Sequence, residues 1–155
     1  MTHWLLVSSP ENFETSRSRG FDIAGMKSRW KKAASEVAPG DTVFFYLTGI
    51  KAIGGEAKVA ALSFYDETKI WESTKPGEVY PYRFPIEIVS ARDKGKYLFV
   101  NDFIESYEYA KRWPAKNWTL AFQGNVHRLD EQDYQLIRNL LQNTDKLKGK
   151  LKEKV

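Results

Sequence analysis

Cysteine is absent from this 155-residue chain, which excludes disulfides and thiolate metal centres. Histidine occurs only at His3 and His127, too few for a histidine-rich metal site, so no metal and no other cofactor is expected. No apolar run reaches the roughly 20 residues of a membrane-spanning helix. No signal-peptide core is evident either. A cytoplasmic protein with no membrane partner is the expectation. The signatures of phosphate-binding loops, dinucleotide folds, zinc proteases and nucleophile elbows are all missing. An excess of one charge is also missing from most of the chain. The formal net charge is +4, but the last 11 residues, "DKLKGKLKEKV", hold five of the 24 Lys/Arg and two of the 20 Asp/Glu, leaving 19 against 18 elsewhere. A near-neutral body does not grip long duplexes by charge alone, because each neutralised phosphate needs its own cation.

What is plentiful is aromatic. Five Trp, eight Tyr and nine Phe make 14% of the chain, enough for a core and for stacking on a planar ligand. The length fits one domain, here residues 1–142, followed by a flexible basic tail from 143 to 155. "HWLLVSS" reads as a short strand ending at Ser8 and Ser9. Pro10 and Glu11 suit a first helical turn that Gly20 stops. "GFDIAG" reads as a glycine-bounded loop. Residues 26 to 38 have Trp30, Ala33, Ala34 and Val37 on one helical face, which makes Trp30 a core residue. "TVFFYLTG" is apolar on both alternating sets, hence a strand buried on two sides. Gly54 and Gly55 in the following strand suggest a bulge or close backbone approach. "YPYRFPIEIVSA" alternates as a strand that Pro85 consigns to an edge or bulge. "VNDFIESYEYA" predicts a helix capped by Asn101 or Asp102, and "KRWPAKNW" a loop. Asp130 caps a last helix with Tyr134, Ile137, Leu140 and Leu141 on its apolar face. Strands joined by short turns, with peripheral helices and no βαβ alternation, indicate an α+β protein built on a small curved or closed sheet.

Three segments repeat one chemistry: "GFDIAGMKSRW", "FFYLTGIKAIGG" and "WTLAFQGNV". Each combines glycine, which admits a ligand close to the backbone, with hydroxyl or amide groups and aromatic faces. Gln123 and Asn125 flank Gly124 in otherwise apolar sequence, where their amides either satisfy a strand break or meet the edge of an unstacked base.

At these same residues the sequence resembles the EVE domain family of the PUA-like superfamily. The stretches that carry the resemblance are "WLLVSSPENF", "GFDIAGMKSRWKKA", "PGDTVFFYLTGIKAIGG", "YPYRFPIEIV" and "NWTLAFQGNVHRL". The resemblance implies a PUA-like barrel of five to six strands with flanking helices. It also implies a non-catalytic reader of modified cytosine or adenine, chiefly in DNA. Its base pocket would be walled by Ser8 or Ser9, by Gly25, Met26, Lys27 and Ser28, by Tyr46, Thr48 and Gly49, and by Gln123, Gly124 and Asn125. Arg29, Lys31 and Lys32 on the adjoining polar face are the expected phosphate contacts. The related ASCH group supplies the alternative, a small amidohydrolase acting on an acylated pyrimidine nucleoside, with Lys27 or Lys51 beside Thr48 and Glu56. A third possibility is a partner of a nuclease or restriction-system protein without base specificity.

Overall fold

The computed structural model of the protein describes residues 1–153, with side chains described through residue 143. The elements run β1 (His3–Ser8), α1 (Pro10–Ser18), β2 (Ile23–Met26), α2 (Lys31–Glu36), β3 (Thr42–Leu47), β4 (Ala52–Val59), β5 (Phe64–Tyr65), β6 (Tyr82–Ala91), β7 (Leu98–Phe99), β8 (Val126–Leu129) and α3 (Glu131–Glu153). The lysine side chains expected to form a basic tail lie outside the described residues. Six strands form a curled half-barrel in the order β2-β6-β4-β3-β1-β8, with β5 added to β6 and β7 to β4. Among the described residues only the β1–β3 pairing is parallel.

Both faces of the sheet are buried, as the uninterrupted apolar run of β3 requires. Trp4, Leu6, Val43, Phe45 and Leu47 face a first core, which Phe13 of α1 and Ala34 of α2 close. Leu5, Phe44 and Tyr46 point the other way, into a second core shared with Phe122 and with Tyr134, Ile137 and Leu141 of α3. Helix ends follow their side chains. Ser9 Oγ accepts the Asn12 N–H at 3.1 Å with Pro10 in the first turn, and Asp130 Oδ1 accepts the Asp133 N–H at 2.9 Å. Gly54 is skipped where β4 pairs with β3, the bulge that the glycine pair suggested.

Several segments differ from the sequence expectation. "GFDIAG" is not a loop: its second half is β2, paired with β6 through Ile23↔Pro85 to Met26↔Tyr82. The helix predicted over 26–38 shrinks to a 3-10 turn at Ser28–Trp30 and the six residues of α2, because Met26 belongs to β2. Trp30 is accordingly half-buried against the rim of the first core. Pro85 lies in an interior strand, with β2 on one side and β4 on the other. It is tolerated because the β4 ladder begins only at Ile86, so the missing N–H breaks no pairing with β4. Residues 100–112 are three 3-10 turns, Val100–Asp102, Ile104–Ser106 and Glu108–Arg112, with Asn101 and Asp102 inside the first instead of capping a helix. A further 3-10 segment, Ala115–Phe122, takes up the end of the expected loop.

Candidate functional site

The half-barrel does not close by backbone pairing. β2 and β8 are its two ends, and the Asn125 side chain hydrogen-bonds across the gap between them. Asn125, 3% exposed, stands just before β8. Its Oδ1 accepts the Lys27 N–H at 2.8 Å, just beyond β2. Its Nδ2 donates to Val7 O at 3.2 Å, and its backbone oxygen accepts the Val7 N–H at 2.9 Å. Val7 follows the last β1 residue paired with β8, so Asn125 satisfies a strand end that the sheet leaves open. Gly124 makes the turn into it with φ +85°, a conformation that disfavours any side chain.

A small chamber of about 40 Å³ sits at this seam, lined by Leu6, Ser8, Phe13, Gly25, Phe45 and Asn125, with Trp71 and Tyr80. Such a space suits a methyl-sized group or a water or two. It adjoins an open cleft of about 540 Å³, where Ser8 and Tyr80 recur with Ser9, Lys27, Thr48 and Gly124. The alternation of β1 turns Ser8 to the same face as Trp4 and Leu6, so its hydroxyl stands at the mouth of the first core.

The outer wall is the long connection 66–81, and the chain straps it down. Asn12 pairs its amide with the Glu72 backbone, donating to Glu72 O at 2.7 Å and accepting the Glu72 N–H at 2.9 Å. Trp71 Nε1 donates to Ser16 Oγ at 2.9 Å. Arg83 of β6 is 0% exposed and donates to Tyr80 O (3.2 Å), Val79 O (3.1 Å) and Thr68 O, with Asp66 at 3.4 Å. Glu78 accepts the Ser28 N–H and hydroxyl and the Tyr80 N–H. Burial pushes its carboxyl up, but these bonds outweigh burial and hold it below the ordinary range. Trp71 and Tyr80 meet edge to face at 6.0 Å. A Cβ on Gly25 would stand 2.6 Å from the Trp71 ring, so only glycine lets the indole lie on β2. Tyr80 holds φ at +52°, a strained value for a tyrosine, and burial raises its phenol, which stays a neutral donor. Lys27 Nζ lies 5.9 Å from the centre of its ring.

The structure thus gathers Ser8, Ser9, Gly25, Lys27, Thr48, Gly124 and Asn125 around one opening. Other expected wall residues lie elsewhere. Met26 fills the first core, Ser28 is engaged by Glu78, and Tyr46 stacks on Phe122 at 4.2 Å in the second core. Gly49 makes a turn, and the Gln123 side chain is exposed. Arg29, Lys31 and Lys32 are exposed beyond the cleft, Arg29 over the Trp30 ring at 4.9 Å. The set imagined for an amidohydrolase is dispersed. Glu56 is buried near Arg138 and His3, and Lys51 lies over Trp118, while only Lys27 and Thr48 share the cleft. Sequence reasoning missed Asn12, Ser16, Trp71, Glu78 and Tyr80. The available signal was two large aromatics inside a polar, Pro-Gly-containing stretch, "DETKIWESTKPGEVYP".

Comparison with known proteins agrees with this architecture. A UPF0310 protein of Pyrococcus abyssi is 28% identical over 150 residues, spanning 91% of this chain and all of that protein. The solved structure of the Mmi1 YTH domain in complex with RNA superposes with a TM-score of 0.67 at 12% identity, over 95% of this chain and 81% of the other. Human THYN1, solved in complex with 5-methylcytosine-containing DNA, superposes with a TM-score of 0.59 at 17% identity, over 90% and 97%. These likenesses carry the α+β PUA-like fold. The EVE domain model matches residues 2–140, nearly the whole chain, and the protein therefore belongs to the EVE domain family.

Proposed function

We propose that this protein is a non-catalytic binding module that reads a modified nucleobase, a modified cytosine or adenine in DNA, at the seam of its half-barrel. The observation that carries the reading is the seam itself: a cleft of about 540 Å³ leading to a chamber of about 40 Å³, walled by Trp71 and Tyr80. A base taken out of its stack would lie in the cleft against the Tyr80 ring, with stacking worth about 1–3 kcal/mol. The chamber would take a methyl-sized substituent. Ser8, the Tyr80 phenol and the second N–H of the Asn125 amide would meet the base edge. Lys27 at the mouth, with Arg29, Lys31 and Lys32 beyond it, would hold phosphates, which position a strand without specifying it. The nucleic acids named with THYN1 and the Mmi1 YTH domain support this reading. The test is a competition titration of short oligonucleotides that differ only in one central base, at a stated salt concentration. A preference for one modified base, lost when Tyr80 is replaced by alanine, supports the reading. Equal affinity for modified and unmodified strands refutes it.

A further inference from the structure

A second pocket lies across the β3–β4 turn from the cleft, and nothing in the reading above uses it. It measures about 340 Å³ and is lined by Ile104, Ala110, Trp113 and Trp118, with Lys111 and Glu105 at its edge. Both tryptophans are half-buried and pack against the second core. Trp113 packs on Tyr109 at 5.7 Å, and Trp118 meets Phe122 edge to face at 5.9 Å. Lys51 Nζ stands 5.9 Å from the Trp118 ring centre. Lys111 and Lys116 are exposed beside it, Lys111 bonded to Glu108 at 2.6 Å, so Lys51 and Lys116 bring positive charge to an aromatic hollow. The turn links the two sites. Thr48 lines the cleft and donates its N–H to Ser8 O at 2.9 Å, while Lys51, three residues on, covers Trp118. Three residue steps reach at most roughly 11 Å, a span that an extended strand covers in a few nucleotides.

We infer that the Trp113–Trp118 pocket seats a second, unstacked nucleobase of the same strand whose modified base occupies the seam. The inference rests on the proposed reader function. Two half-exposed indoles offer stacking faces to any base, and Lys51 meets the phosphates between the two bases. The module then reads a short single-stranded or locally opened segment, with identity taken at the seam and grip at the tryptophans.

The experiment compares two probes on the intact chain: a modified cytidine monophosphate, and a pentanucleotide carrying that base at its centre. Affinity is read by titration, and occupancy by quenching of tryptophan emission. Trp113→Ala should weaken the pentanucleotide about tenfold, since one stack is worth that much, and leave the mononucleotide unchanged. Lys51→Glu, a change at an exposed side chain, should weaken the pentanucleotide in the same direction. Unchanged pentanucleotide affinity in both variants would overturn the pocket while leaving the reader function standing. Equal losses for both probes would make Trp113 part of the seam and also overturn it. Quenching by an apolar peptide but not by the pentanucleotide would assign the pocket to a protein instead. If the wild type shows no preference for the modified base, yet Trp113→Ala still weakens the pentanucleotide, the tryptophan pocket stands and the reader function falls.

Discussion

Replacing Asn125 by alanine tests the seam most sharply, because one amide serves both of its sides. The change leaves the Lys27 N–H and the Val7 carbonyl without the partners they have at 2.8 and 3.2 Å. Each stranded backbone group costs about 1–3 kcal/mol when water cannot replace its partner. Val7 and Lys27 are half-buried, so the lower half of the range applies and the sum is roughly 2–4 kcal/mol. In a domain of this size that lowers Tm by roughly 4–16 °C. Thermal melting monitored by circular dichroism reads the loss. Asn125→Asp separates the two halves: it keeps the acceptor for Lys27 but sets a carboxylate against the Val7 carbonyl, so it should not restore stability. Base discrimination should fall with stability in both variants, as the seam loosens. A loss in Asn125→Ala under about 1 kcal/mol, or full rescue by Asp, would refute the assignment of Asn125 as the bridge.

Gly25→Ala should push the Trp71 indole off β2, because the new methyl would lie 2.6 Å from it, and should cost about 1–3 kcal/mol; a red shift in tryptophan emission with weaker modified-base binding is the readout. Arg83→Lys should fail to replace Arg83, since one ammonium cannot reach the carbonyls of Thr68, Val79 and Tyr80 together; limited proteolysis within 66–81 should quicken, and an unchanged cleavage rate would count against the strap. The Glu78 carboxyl is held below the ordinary value in the folded protein, so its contribution is complete above the unfolded value and is lost as pH falls through the folded one. The stability gap between wild type and Glu78→Gln should therefore shrink on acidification below about pH 4, and a gap that widens there would reverse the sign.

Legibility in the sequence followed how local each cause is. β1, β3 and α3 could be read because their apolar periods and the cap Asp130 are written within a few residues. β2 could not, because the glycine that makes it look like a loop is there for Trp71, 46 positions away in the chain. The helix expected over 100–110 had Val100, Phe103, Tyr107 and Ala110 at helix-like spacing. A 3-10 turn meets the i, i+3 intervals equally well. The decision is made from outside, by the Asp133 carboxylate, which accepts the Glu108 and Tyr109 N–H groups at 2.9 and 3.0 Å. At the site, the strand-end residues Ser8 and Asn125 were visible as polar interruptions of apolar runs. The 66–81 wall was not, because its order comes from Asn12, Ser16 and Arg83 on other elements.

The central claim is that the seam holds a modified base. Its most direct measurement is a structure, or chemical-shift mapping, of the protein with a short strand bearing one central modified cytosine. That base should lie in the cleft against Tyr80, with its substituent in the chamber toward Ser8, Gly25 and Trp71, and the largest shifts should fall in Ser8, Lys27, Tyr80 and Asn125. A base bound elsewhere, or identical shifts with the unmodified strand, would contradict it.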